Sequence, residues 1–209
     1  MKHAFIKPIL KKPVLDPSES KNLRPISQLS YFSKILEKIA TDQLLDHMSS
    51  FLTCETYQSG FKNFHSTKTA LLSVTNDLRR SSDNGHPSIL IQLDFSSAFD
   101  TLDIPTLIDT LKNFIGLSDS ALSWFSSYLS DRTFQVQQPN DVSKSTNVKY
   151  GVPQGSVPAP ILYRIYIIPL LILLTRLGIK YYIYADDTQI YNKSLVFPVI
   201  LDSLWKLFN

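Results

Sequence analysis

A chain of 209 residues with 44% hydrophobic and 19% charged residues has the apolar content of one substantial folded domain and not the composition of a disordered polymer. Cys54 is the only cysteine, which excludes an internal disulfide and any cysteine-based zinc site. The net charge of +3 is split unevenly, +5 over residues 1–80 and −2 over residues 81–209. That split suits a protein holding a polyanion and metal ions in different places, and equally ordinary surface scatter.

The opening IKPILKKPVLDPSESKNLRPIS is rich in proline and lysine and reads as an extended basic arm, without an apolar stretch of signal-peptide length. From Tyr31 to Leu52 the residues Phe32, Ile35, Leu36, Ile39, Leu44, Leu45, Met48 and Phe51 keep helical spacing. A second helix starts at an N-cap, Ser66, runs through Ala70, Leu71, Val74 and Leu78, and stops at the loop SSDNGHP. SILIQLD has strand composition and ends on Asp94. Helices are expected around Pro105–Ile115, closed by Gly116, and around Asp119–Leu129. TFQVQQ and TNVKYG flank PNDVSKS and read as a hairpin.

After GVPQGSVP comes ILYRIYIIPLLILL, residues 161–174, read as one buried helix. It is shorter than the roughly 20 residues of a membrane span, and Arg164 and Pro169 interrupt it, so no membrane contact is expected. KYYIYA, DD and TQIY read as strand, turn and strand, while residues 193–209 follow no pattern and stay unassigned. Strands and helices without regular βαβ alternation predict an α+β fold with an antiparallel sheet.

Asp186 and Asp187 stand inside the apolar and aromatic run IKYYIYADDTQIY. Burying an ionised carboxylate alone costs several kcal/mol or forces its pKa upward, and two neighbours repel as well. Either a hairpin tip lifts the pair into water or a cation lies between them. Asp94, also at the end of a hydrophobic strand, favours the cation. Three carboxylates converging from two sheet elements form a hard-oxygen site suited to Mg²⁺ or Mn²⁺. Two such ions about 3.5–4 Å apart can activate an attacking hydroxyl and stabilise a leaving pyrophosphate. A hydrolase with paired carboxylates is poorly served, because adjacent residues do not easily flank a scissile bond.

YADD, preceded by QLDFSSAFDTLD and GVPQGSVPAPILY, closely resembles the reverse transcriptases of non-LTR (LINE-like) retrotransposons. The resemblance extends upstream through LRPISQLSYFSKILEK and YQSGFKNFHSTKTAL and covers residues 4–192. YADD alone is a weak signal; four motifs in the family's order are specific. The resemblance implies a right-hand polymerase with fingers and palm over residues 1–192, its antiparallel palm sheet packed with helices. It implies RNA-directed DNA synthesis with an RNA template, a DNA primer and dNTPs, supported by two Mg²⁺ ions for which Mn²⁺ can substitute.

Residue by residue, the resemblance implies that Asp94, Asp186 and Asp187 are the catalytic metal ligands, Asp187 contributing less directly than Asp186. Phe99 matches the aromatic that closes against the sugar of the incoming nucleotide, where a flat ring leaves no room for a ribose hydroxyl; the residue alone reads as core. Gly151, Gln154 and Gly155 match a loop that packs on the nascent base pair and template. Arg24 in RPIS and Lys62 in GFK match cations expected at the nucleotide's phosphates, and either reads equally as a solvated surface charge. Lys62 replaces the family's usual arginine and loses its bidentate fork. Asp100 and Asp103 are expected to cap the following helix.

Two departures stand out. SVPAPILY carries Pro158 and Ala159 where the family usually has leucine and then glycine, which predicts a distorted start to the next helix. After Tyr191 nothing resembles the distal palm or thumb, and no endonuclease is recognisable. The expectation is therefore an incomplete copy, thumb absent, with little activity alone. The competing reading is a non-catalytic remnant that binds nucleic acid.

Overall fold

A computed structural model of the chain describes residues 2–49, 66–94, 97–138, 141–184 and 187–193. Lys62, Asp186 and the tail beyond residue 193 lie outside the described residues. In chain order the elements are β1 (His3–Leu10), β2 (Leu23–Gln28), α1 (Tyr31–Ser49), α2 (Thr67–Asp83), β3 (Ser88–Asp94), α3 (Ile104–Asn113) and α4 (Asp119–Leu129). They continue with β4 (Thr133–Gln138), β5 (Asp141–Val142), β6 (Thr146–Asn147), α5 (Ala159–Tyr166), α6 (Ile168–Arg176), β7 (Lys180–Tyr184) and β8 (Asp187–Lys193). The chain divides into two compact units, residues 1–51 with 97–166 and residues 52–96 with 167–209.

The first unit carries a sheet of order β2-β1-β4-β5, with β6 also paired to β4. The segment expected as an extended arm is instead a hairpin: β1 and β2 pair antiparallel from Phe5↔Gln28 to Leu10↔Leu23. Its prolines do not prevent this. The Lys11 amide donates to the Asn22 carbonyl, so alternation along the ladder makes Pro8↔Pro25 a non-hydrogen-bonded pair. β1 also pairs in parallel with β4, which makes this sheet mixed rather than antiparallel. The hairpin expected at 133–150 is present, with both β5 and β6 antiparallel to β4.

Beside the sheet in this unit, α3, α4 and α5 bury Leu107, Leu111, Leu129, Leu162 and Ile165 almost completely. Each such side chain contributes about 1.5–3 kcal/mol. Asp103 caps α3 as expected, accepting from the Thr106 amide at 3.0 Å. Gly116 ends the helix with φ 76°, letting the Leu117 amide reach the Leu111 carbonyl at 3.0 Å. Asp100 is not a cap.

On α1 the apolar spacing and the buried face diverge. Ser33, Glu37, Thr41, Leu44 and Met48 are buried, whereas Phe32, Ile35, Leu36, Ile39 and Leu45 are exposed.

The second unit holds an antiparallel sheet of order β3-β8-β7. α2 lies on it, burying Ala70 and Val74 against Tyr182 and Tyr191. Ser66 and Thr69 form the capping box that starts α2. Asp77 on α2 accepts from Lys180 Nζ at 3.0 Å and from the Tyr191 hydroxyl at 3.1 Å, which ties the helix to both strands of the hairpin. Ile183, Ile190 and Leu174 are fully buried.

The apolar segment expected as one helix is two, α5 and α6, separated at Ile167 with Pro169 in the first turn of α6. By length and composition Ala159–Arg176 would suffice to cross a membrane, but half of it is buried inside the fold. The predicted distortion at Pro158 is absent. Its carbonyl accepts from the Leu162 amide at 2.9 Å, so proline precedes the helix where its missing N–H costs nothing.

Candidate functional site

In the second unit the register of β3 and β8 sets Asp94 directly opposite Asp187, and that of β7 and β8 sets Tyr184 opposite Asp187. Like charges directly across a sheet are destabilising as a rule, which makes this register unusual for two aspartates. The frame is firm: Thr188 and Ile190 on β8 and Ile183 on β7 are buried, while Asp187 is exposed at the strand's start. Carboxylate oxygens suit a hard divalent cation, and an aspartate opposed to an aspartate fits that donor set. Asp186 lies outside the described residues, among which no group of three or more His, Cys, Asp or Glu ligands occurs.

The first unit holds the remaining candidates that are described. Phe99 and Asp100 lie in a turn that opens at Ser97, whose φ of 58° is uncommon for serine. The Ser97 carbonyl accepts from the Asp100 amide at 2.8 Å. Phe99 is partly exposed, and its ring is 5.4 Å from that of the buried Tyr163.

The loop 151–157 is fastened to this turn and to β2. The Gly151 amide donates to Leu102 at 2.7 Å and the Val152 amide to Phe99 at 2.8 Å, while Gln154 accepts from the Ser27 amide at 2.9 Å. At Gly151, with φ 86°, a Cβ would fall 2.7 Å from the Asp100 backbone, so glycine is required there. Gly155 is exposed beside β2, and Arg24, on β2 opposite Ile9, is exposed to solvent.

Three residues around this loop carried no such role in the sequence. Asp100 accepts from Gln154 Nε2 at 2.9 Å, and burial above all holds its carboxyl above the usual carboxylate range. Glu37, 1% exposed, accepts from Ser33 Oγ, the Tyr128 hydroxyl and the Val157 amide. Its only sequence signal is its place in the Ser33, Glu37, Thr41 stripe that continues into Leu44 and Met48. Arg132 is buried over the Tyr128 ring, donates to the Tyr128 carbonyl, and lines a cavity of about 610 Å³ together with Asp100 and Gln154. Nothing in the sequence near Arg132 marks it.

The fold is one shared with telomerase structures. A telomerase structure from Candida tropicalis, truncated from its C-terminal domain, superposes with a TM-score of 0.66 at 13% identity, covering 96% of this chain and 46% of that one. A telomerase from Candida albicans in complex with the TWJ fragment of telomeric RNA gives 0.68 at 13% identity, covering 97% and 40%.

The chain belongs to the reverse transcriptase (RNA-dependent DNA polymerase) family, which residues 9–201 match. It is 32% identical over 151 residues to a probable RNA-directed DNA polymerase from transposon BS of Drosophila melanogaster, covering 72% of this chain and 16% of that protein. It is 29% identical over 183 residues to the RNA-directed DNA polymerase from mobile element jockey of the same species, covering 85% and 20%. These relatives make it a LINE-like, non-LTR member of the family. The chain spans about a fifth or less of the length of either.

Proposed function

We propose that this chain carries the nucleotidyl-transfer chemistry of an RNA-directed DNA polymerase. The primer 3′-hydroxyl attacks the α-phosphate of a dNTP, the bond to pyrophosphate breaks, and the hydroxyl proton is lost to solvent. The observation that carries the reading is the opposition of Asp94 and Asp187 in the β3–β8 ladder. A sheet whose register sets two aspartates opposite each other has a use for a cation. Asp94, Asp186 and Asp187 would hold Mg²⁺ or Mn²⁺. Two bound ions supply positive charge at the attacking and leaving oxygens.

The chain's own residues orient the substrates. β3 and β8 fix their aspartates at defined ladder positions. Phe99, backed by Tyr163, offers the flat apolar surface that would exclude a ribose 2′-hydroxyl. Gln154 and Gly155, on a loop fastened at three backbone positions, would contact the nucleotide and template. Arg24 and Lys62 would meet phosphates. An RNA template is favoured by the names of the relatives and by the RNA held in the Candida albicans telomerase structure.

The test measures Mn²⁺ binding by electron paramagnetic resonance, alongside primer extension on an RNA template with dNTPs. Asp94→Asn and Asp186→Asn should each weaken Mn²⁺ binding and lower extension by on the order of 10³-fold. Unchanged Mn²⁺ binding in both variants, or extension at the wild-type rate, overturns the assignment. Nucleic-acid binding without Mn²⁺ binding or extension would establish the non-catalytic reading instead.

A further inference from the structure

The Asp100–Gln154 hydrogen bond has a directional consequence. A side-chain amide offers two chemically opposite ends, two N–H donors and one carbonyl acceptor, of nearly the same shape. An ionised carboxylate only accepts. With Asp100 ionised, Gln154 Nε2 donating to Asp100 Oδ2 at 2.9 Å turns the amide nitrogen toward Asp100 and leaves Oε1 on the other side.

The surrounding backbone leaves little else to be set. The Gly151 and Val152 amides are bonded to Leu102 and Phe99, and the Gln154 carbonyl is bonded to the Ser27 amide. Gly151 lies so close to the Asp100 backbone that a Cβ there would fall 2.7 Å from it, which packs the loop directly on the Asp100 turn. The rotamer and flip state of the Gln154 side chain are the remaining freedom. Asp100 reaches that side chain across 54 positions of sequence. Burial of the carboxylate adds to the argument, because a half-buried acceptor without its donor would cost free energy.

We propose that Asp100 is a positioning residue that fixes the Gln154 amide so that Oε1 is presented, as a hydrogen-bond acceptor, to a hydroxyl or N–H of the incoming nucleotide. The proposal rests on the reading that Gln154 contacts the nucleotide. It predicts that the partner group on the substrate is a donor, and that a nucleotide lacking that donor binds more weakly.

Asp100→Asn tests it, since asparagine keeps the shape but can donate or accept and so no longer dictates the flip. The first readout is the ¹⁵N–¹H₂ resonance of the Gln154 side chain, identified by its loss in Gln154→Ala. Asp100→Asn should shift that resonance while the Gly151 and Val152 amides stay in place. An unmoved side-chain resonance overturns the positioning role, and so does a collapse of the whole loop's signals, which would make Asp100 merely structural.

The second readout is the dissociation constant of a dNTP with Mg²⁺. Asp100→Asn should raise it on the order of fivefold, the size of one hydrogen bond, and should add nothing in a Gln154→Ala background. An equal loss in that background shows that Asp100 acts independently and refutes the proposal. If Gln154→Ala itself leaves the constant unchanged, the reading of Gln154 as a nucleotide contact fails, and the shift in the Gln154 resonance shows separately whether Asp100 orients it.

Discussion

Replacing Glu37 by leucine and by glutamine separates the value of a buried carboxylate from that of its shape. Glu37 Oε1 accepts from Ser33 Oγ at 3.1 Å and from the Tyr128 hydroxyl at 3.2 Å, and Oε2 accepts from the Val157 amide at 3.0 Å. Burial first, with the Glu37 charge adding to it, pushes the Tyr128 hydroxyl far above its ordinary value, so it remains a donor throughout the accessible pH range. One side chain thus ties α1 to α4 and to the loop that carries Gln154.

Leucine leaves the Val157 N–H without its acceptor, at about 1–3 kcal/mol, and strips a partner from two hydroxyls at about 1 kcal/mol each. Relief of the buried charge returns part of this, so the net loss is about 2–4 kcal/mol. Glutamine behaves differently. Its carbonyl can accept from Val157, and its amide nitrogen can donate to hydroxyls that rotate to accept. Its cost should be about 1 kcal/mol. In a chain of this size those losses lower Tm by about 5–15 °C for Glu37→Leu and about 2–4 °C for Glu37→Gln. Thermal melts give the first number, and hydrogen exchange at the Val157 amide reports whether the loop has come loose. Glu37→Leu within 0.5 kcal/mol of wild type (approximately, by urea titration), or Glu37→Gln as damaging as Glu37→Leu, would refute the reasoning.

Gly151→Ala should cost about 2–5 kcal/mol, from its left-handed φ and the clash with Asp100, whereas Gly178→Ala, equally left-handed but in open space, should cost about 1 kcal/mol; paired thermal melts compare them. Asp103→Ala should remove about 1 kcal/mol of cap energy at neutral pH. Bonds from the Thr106 hydroxyl and amide hold the Asp103 carboxyl below 3.8, so this contribution is present above that value and lost as pH falls through the lowered folded pKa. Asp100 slopes the other way: with its folded pKa raised by burial, stability declines as pH rises from 3.8 through that raised value, and Asp100→Asn should remove the slope in urea titrations across acidic pH. Phe99→Val should raise rNTP incorporation relative to dNTP in steady-state extension, and unchanged discrimination would leave Phe99 as packing for Tyr163 alone.

Local signals carried much of the fold. Ser66, Asp103 and Gly116 all mark helix ends by chemistry confined to one turn, and the structure has those ends. β3, β7 and β8 were legible as apolar strands bounded by turn residues. What failed depends on distant partners. Nothing local says that Pro8 would face Pro25 at a non-hydrogen-bonded position, so the first strands read as an arm. The parallel ladder between β1 and β4 joins residues about 130 positions apart. Pro169 was visible, but a proline tolerated in a first turn and one that breaks a helix look alike until the break is seen. Glu37 and Asp100 were not legible as anchors of the Gln154 loop because their partners are donors from Val157, Tyr128 and Gln154.

The same distinction governs the aspartates. Sequence identified Asp94, Asp186 and Asp187 as unusual because each stands at the end of an apolar strand, yet an exposed hairpin tip would have explained the last two equally well. Register separates the alternatives further than composition could. A tip alone has no need of Asp94, whereas the β3–β8 ladder runs from Ser88↔Lys193 to Asp94↔Asp187 without a break and ends on that register pair. Slipping that pairing by one residue would turn the buried Ile190 and Thr188 outward, so the core that fixes the strands also fixes the register of Asp94 with Asp187. On the proposed reading, Asp94, Asp186 and Asp187 would offer a divalent cation its hard oxygen ligands at the end of that ladder.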